Sequence, residues 1–145
     1  MSTPTDELLR AICLGNIEAE AFLIGWHRYC HLIDDIVDDA VDNHEAVRVA
    51  RWANDLYSTP FYQKHAAALG PLVQLITLQY EDSVAWEGAD QEWKRDVADT
   101  LRHCGTDMIR MVALIVGGYD HAKKFSNDIR EICHAEHHDE EGRPT

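Results

Sequence analysis

The segment from Glu20 to Asp42 constrains the fold most, because its apolar residues repeat with the period of an α-helix. At about 100° per residue, one half of this helix is apolar and the other half carries acidic residues and histidines. Such a helix is stable when its apolar half packs against other elements. Nowhere do apolar and polar residues alternate for more than a few positions, so we expect no strands. The sequence therefore predicts an all-α fold.

Capping residues, prolines and glycines divide the rest of the chain into helices. Thr3 or Thr5 caps the first helix, which extends to about residue 42 and is open to an interruption at Gly15–Asn16. Short connections favour antiparallel neighbours, so we expect a single domain, residues 1–145, built as a bundle of five or six mostly antiparallel helices. Residues 138–145 are polar and are expected to form a disordered tail. The other helices are expected over residues 44–57, 59–69, 71–86, 91–116 and 121–137.

Composition restricts the partners and the compartment. The formal net charge of −13 argues against binding to nucleic acid or to an anionic membrane surface, and it suits cations. The four cysteines show neither a CxxC pair nor the spacing of a zinc site, which indicates reduced thiols in a cytoplasmic protein. The N-terminal residues lack the pattern of a signal peptide, and the longest apolar run, residues 111–117, is too short for membrane insertion.

Four aspartates lie close together on the acidic half of the long helix: Asp34, Asp35, Asp38 and Asp39. Carboxylates three or four residues apart share one side of a helix and repel each other, which a bound cation would relieve. Mg²⁺ prefers oxygen ligands and commonly joins one or two carboxylates to a phosphate. These aspartates are therefore candidate Mg²⁺ ligands, and the alternative is that they form a solvated face.

Two histidines precede the aspartates on the same side of the helix. His31 lies one turn before them and His27 two turns before them. An imidazole beside carboxylates can ligate a metal, exchange a proton or pair with the carboxylates. We therefore treat both histidines as candidate catalytic residues.

The run HLIDDIVDDA resembles the first aspartate-rich motif, DDxxD, of the class I isoprenoid synthases, and is most similar to the trans-prenyltransferase and squalene/phytoene synthase branches. The resemblance implies an all-helical protein that binds a prenyl diphosphate through Mg²⁺ held by the aspartates. It also implies a transferase or lyase reaction in which the metal neutralises the leaving group as the allylic C–O bond breaks. His27 and His31 would then act as acid or base groups or support the metal ligands.

The segment NDIREICHAE, residues 127–136, resembles in part the second metal motif of class I terpene synthases, (N/D)Dxx(S/T)xxxE. Asn127 and Asp128 match its opening, Glu131 stands at the Ser/Thr position, and Ala135 stands at the final Glu position. The resemblance adds Asn127 and Glu131 to the expected metal ligands. Because the chain is shorter than the family's domains, a homodimer that supplies further helices belongs to this expectation.

Two other functions remain open from the sequence. All-α nucleotide pyrophosphohydrolases of the MazG and dimeric dUTPase type also use acidic helices and Mg²⁺, and Glu18, Glu20, Asp35 and Asp38 approximate their ExxE…ExxD pattern. The other function is a non-catalytic interaction module with an acidic surface.

A second charged stripe lies later in the chain and includes Asp99, Arg102, His103 and Asp107. It would either face the aspartates of the long helix across the bundle or form a salt-bridged exposed surface.

Overall fold

The computed structural model describes residues 3–38 and 43–140, with the backbone alone for residues 43, 45, 46 and 136–140. Within these residues there are seven α-helices and no strand, so the predicted all-α fold is confirmed. The helices are α1 (Pro4–Cys13), α2 (Ile17–Asp38), α3 (Asn43–Tyr57), α4 (Pro60–Lys64), α5 (Ala66–Trp86), α6 (Glu92–Leu101) and α7 (Thr106–Glu140).

The long helix expected up to about residue 42 is two helices, α1 and α2, separated at Gly15–Asn16, where the sequence left an interruption open. Leu14 and Gly15 have left-handed backbone conformations, with φ of 52° and 80°, and end α1. The side chain of Asn16 then accepts a hydrogen bond of 3.0 Å from the Ala19 amide, which caps the start of α2. Thr3 caps α1 through a capping box with Asp6, one of the two starts that the sequence left open.

Two further boundaries differ from the sequence-based expectation. Pro71, expected at the start of a helix, lies inside α5, which already begins at Ala66. The helix expected over residues 91–116 is divided by a turn at residues 102–105 into α6 and α7. The break between α1 and α2 and the division into α6 and α7 each add a helix, and the helix expected over residues 121–137 becomes part of α7. The described residues therefore form seven helices instead of the expected five or six.

The long helix α7 contains an internal break. Its backbone leaves the helical conformation at Gly118, with φ of 82°, where the sequence predicts that a helix stops. The helix resumes directly afterwards and continues to Glu140, so residues 138–140 of the expected tail are helical. Residues 141–145 lie outside the described part of the chain.

The core forms around α2, which packs against α1, α3, α4 and α7. The predicted apolar half of α2 provides Phe22, Leu23 and Trp26, all 3% exposed or less. The ring of Phe22 lies 5.7 Å from that of Phe61 on α4, so aromatic packing joins the two helices. None of the described helices combines the length and the apolar character needed to cross a membrane.

Two leucines of α5 test this arrangement. Leu69 is fully buried, whereas Leu78 on the same helix is 60% exposed. Leu69→Ala should lower the free energy of unfolding by about 2–5 kcal/mol, because it removes buried apolar surface and leaves a cavity. Leu78→Ala, the matched control, should change it by less than about 0.5 kcal/mol. Urea denaturation measures both, and an equal loss in the two variants would contradict the exposed position of Leu78.

Candidate functional site

A cavity of about 220 Å³ lies between α2, α5, α7 and the turn at residues 102–105. Apolar surface forms most of its wall, and the polar groups that reach it include His27, His31, Asp34 and Arg102. A mainly apolar concave site with a few polar groups is typical of small-molecule binding sites. Its apolar and aromatic lining includes Trp26, Tyr29, Ile33, Tyr57, Ile76 and Ile109.

The turn at residues 102–105 is held against α2 by Trp26. The indole Nε1 of Trp26 donates a hydrogen bond of 3.0 Å to the carbonyl oxygen of Gly105. A Cβ atom at position 105 would lie 3.0 Å from the sulfur of Cys30, so glycine permits this close approach. The contact places Arg102, at the start of the turn, opposite the aspartates of α2.

Arg102 is the centre of a charged group that we call the Arg102 cluster, which consists of Arg102, Asp34, Asp38, Glu87 and Tyr80. The guanidinium binds Asp34 at 3.1 Å through Nε, Glu87 at 2.7 Å through Nη1, and Asp38 through Nη2. The arginine side chain is only 7% exposed, whereas those of Asp34 and Asp38 are 24% and 44% exposed. Three carboxylates share one guanidinium, so the cluster keeps an excess of negative charge.

Tyr80 joins the cluster to α5. Its hydroxyl donates a hydrogen bond of 2.6 Å to Oδ1 of Asp34, and the Arg102 guanidinium lies 5.2 Å from its ring centre. Burial raises the pKa of Tyr80, and the charge of Asp34 raises it further, so the hydroxyl remains a donor. Burial alone would lower the pKa of Arg102, but Tyr80, Asp34 and Asp38 outweigh it and the pKa is raised.

The two candidate catalytic histidines lie together on the cavity wall. Their Nε2 atoms are 3.2 Å apart, and the rings meet edge to face with 4.5 Å between centroids. The structure thus brings His27 and His31 to the same cavity as Asp34. Their acid or base role stays a prediction.

The candidate metal ligands divide between two regions. Asp34 and Asp38 belong to the Arg102 cluster, Asp35 is exposed on the same helix, and Asp39 lies outside the described residues. Asn127 and Glu131 are exposed on α7, and neither lines the cavity.

Among the described side chains, no three His, Cys, Asp or Glu residues form a group that could hold a metal ion. Mg²⁺ often takes only one or two carboxylates and completes its shell with water and phosphate, so the Mg²⁺ site stays a prediction.

The sequence analysis named three members of the Arg102 cluster, Asp34, Asp38 and Arg102, and missed Tyr80 and Glu87. Arg102 belonged to the later charged stripe, for which a position facing the aspartates was one of two alternatives. Arg102 does face the aspartates of α2, but it forms an ion pair with Asp34 and does not share a metal ion with it. Tyr80 and Glu87 gave no signal in the sequence, because their contacts depend on how α5 and the loop after it pack.

Three cysteines also line the cavity: Cys30, Cys104 and Cys133. All four cysteines of the chain are free thiols. Burial raises the pKa of Cys104 to about 12, and the charge of Asp107 contributes. Burial likewise raises the pKa of Cys30, and the charge of Asp34 raises it further. These two thiols are therefore neutral at physiological pH.

No protein-family model, no curated protein and no solved structure matches this chain. The resemblance to class I isoprenoid synthases therefore rests on the short motifs of the sequence. The cavity has mainly apolar and aromatic walls, and charged groups lie at one side of it.

Removal of the Arg102 charge should destabilise the fold. Arg102→Met should lower the free energy of unfolding by about 2 kcal/mol, because Asp34 would stay partly buried without its cation. Glu87→Gln, at the half-exposed partner, should cost less than about 1 kcal/mol. Urea denaturation of both variants measures the difference, and an equal effect would show that Asp34 does not depend on the guanidinium.

The buried thiols should resist alkylation in the folded protein. With a pKa of about 12, roughly one Cys104 in ten thousand carries a thiolate at pH 8. Burial also raises the pKa of Cys13 to about 12, so this thiol should behave alike. Mass-spectrometric mapping after iodoacetamide treatment, with a urea-unfolded sample as the control, tests this. Rapid labelling of Cys104 without urea would contradict the buried position.

Proposed function

We propose that this protein binds a short prenyl diphosphate together with Mg²⁺. The apolar group would lie in the cavity and the diphosphate beside the aspartates of α2. One observation carries the proposal: a single helix, α2, forms part of the apolar and aromatic wall of the cavity and carries the aspartates next to it. Tyr29 and Ile33 line the wall, and Asp34 follows directly and reaches both the cavity and the Arg102 cluster.

The cavity volume favours a short apolar group. An apolar protein cavity of about 150 Å³ is large enough to bind benzene. By the same proportion, a volume of 220 Å³ accommodates about eight to ten carbon atoms. This size suits a dimethylallyl or geranyl group, and a farnesyl group would extend beyond it.

The charge of the Arg102 cluster favours a divalent cation beside the diphosphate. Three carboxylates and one guanidinium give a formal charge of −2, and Asp35 adds a further carboxylate nearby on α2. A diphosphate anion would be repelled by this surface unless cations neutralised it. Within the described residues, neither Asp34 nor Asp38 uses its Oδ2 atom in a hydrogen bond, which leaves an oxygen on each for a metal.

The remaining polar groups have roles in this proposal as well. Bound Mg²⁺ would supply Lewis-acid neutralisation of the diphosphate. Arg102 would keep Asp34 and Asp38 in place and add positive charge beside the phosphates. His27 and His31 lie on the cavity wall, where an imidazole can give or accept a proton beside a bound apolar group. Transfer or elimination of the diphosphate is the reaction that this arrangement would serve.

Calorimetric titration with geranyl diphosphate tests the metal side of the site. Saturable binding should require both Mg²⁺ and the ligand. Asp35→Asn should weaken it by about 10–100-fold, because a carboxylate at the metal is lost while the exposed position leaves the fold intact. Asp96→Asn, at an exposed aspartate of α6, is the matched control and should bind like the original protein.

A second variant tests the cavity. Val73 lines the wall, and Val73→Phe should fill part of the space that the prenyl group needs. This variant should bind geranyl diphosphate more weakly and should bind inorganic pyrophosphate as the original protein does, with circular dichroism confirming the fold.

If Mg²⁺ and geranyl diphosphate do not bind together, the proposal fails. Pyrophosphate release from nucleoside triphosphates would then favour a pyrophosphohydrolase, and indifference to metal and phosphate would favour an interaction module.

A further inference from the structure

We infer that His27 and His31 form a two-histidine site for a transition-metal ion, with Zn²⁺ as the representative ion. This site is separate from the carboxylates proposed for Mg²⁺ and does not depend on that proposal. The histidines are four residues apart on α2, so they lie one above the other on one side of a rigid helix. Their Nε2 atoms face each other at 3.2 Å.

This separation fits two nitrogen ligands of one metal ion. Zn–N bonds are about 2.0–2.1 Å long, so two nitrogens 3.2 Å apart enclose an N–Zn–N angle of roughly 100°. This angle is close to that of a tetrahedral site. Without metal, one imidazole donates its Nε2 proton to the other ring. With metal, both rings must carry their proton on Nδ1, so one ring changes its tautomer.

The ligand type determines which metal the pair takes. Imidazole nitrogens suit Zn²⁺, Cu²⁺ and Ni²⁺, whereas Mg²⁺ prefers oxygen and keeps its water. The histidines and the aspartates of α2 therefore select different ions although both reach the same region. No third His, Cys, Asp or Glu completes a metal-binding group among the described residues. The remaining coordination positions would be taken by water or by a donor atom of a molecule in the cavity that both histidines line.

A second pair of histidines could compete for the same metal ion. His103 and His134 lie 4.4 Å apart between centroids, at an interplanar angle of 40°. The rings of this second pair are tilted, whereas the 84° angle of His27 and His31 directs a ring edge at its neighbour and brings their Nε2 atoms to 3.2 Å. The pair on α2 is therefore the better candidate, and His134 provides a matched control.

Zn²⁺ titration by calorimetry, in excess Mg²⁺ and without phosphate, tests the site. Mg²⁺ occupies carboxylates but does not compete for imidazole or thiolate, so the signal reports nitrogen and sulfur ligands, and the histidine variants show which residues provide them. The unaltered protein and His134→Gln should bind one Zn²⁺ per chain. His27→Gln and His31→Gln should each bind at least about tenfold more weakly, because loss of a metal ligand costs no less than the 10–100-fold loss typical of its supporting partners.

Thermal unfolding with and without Zn²⁺ provides an independent readout, because a ligand of the folded state raises Tm. Zn²⁺ should raise Tm for the unaltered protein and His134→Gln, and not for the two variants on α2.

Circular dichroism identifies a variant that fails to fold, and the other α2 variant then decides. No saturable Zn²⁺ binding to the unaltered protein, equal binding by all variants, or loss of binding in His134→Gln alone would each overturn the inference. Mg²⁺ and prenyl diphosphate have no part in these outcomes.

Discussion

The ion pairs of one nearly buried arginine connect the parts of this molecule that carry its candidate chemistry. Arg102 lies in the turn between α6 and α7, and its guanidinium reaches α2 through Asp34 and Asp38 and the end of α5 through Glu87. A cation with 7% exposure is costly to desolvate unless anions surround it, and here three carboxylates do so. The wall of the cavity depends on this arrangement, because α2, α5 and the turn all line it.

The helical character of the chain could be predicted from the sequence, whereas the site could be predicted only in part. The apolar half of α2 and the cap at Thr3 are local patterns, and local patterns determine helices well. The break between α1 and α2 falls at Gly15–Asn16, where the sequence left an interruption open. The helical position of Pro71 was harder to predict, because packing overrides propensity there. The cavity and the position of Arg102 depend on contacts between residues distant in sequence, such as Arg102 and Asp34, which periodicity does not encode.

Different sides of α2 meet different surroundings within a few turns. Phe22 packs in the core, His27 and His31 face the cavity, and Asp34 joins the cavity to the charged surface. The sequence analysis placed Asp34 on the half of α2 that was expected to be solvated or to bind metal. In the structure this aspartate also contacts residues outside α2. Tyr80 and Arg102 both bind Asp34, so this aspartate is part of the packing between helices, while Asp35 beside it remains exposed.

The close approach of Gly105 to α2 has an evolutionary consequence. A methyl group at position 105 would meet the sulfur of Cys30 at 3.0 Å, closer than such atoms normally pack. A larger residue at position 105 therefore requires the Cys30 side chain to move by a few tenths of an ångström, or position 30 to lose its sulfur, for example through a change to alanine. The two positions should covary among descendants of this chain. The order of the substitutions matters, because the loss of the sulfur at position 30 relieves the contact before a side chain is added at position 105.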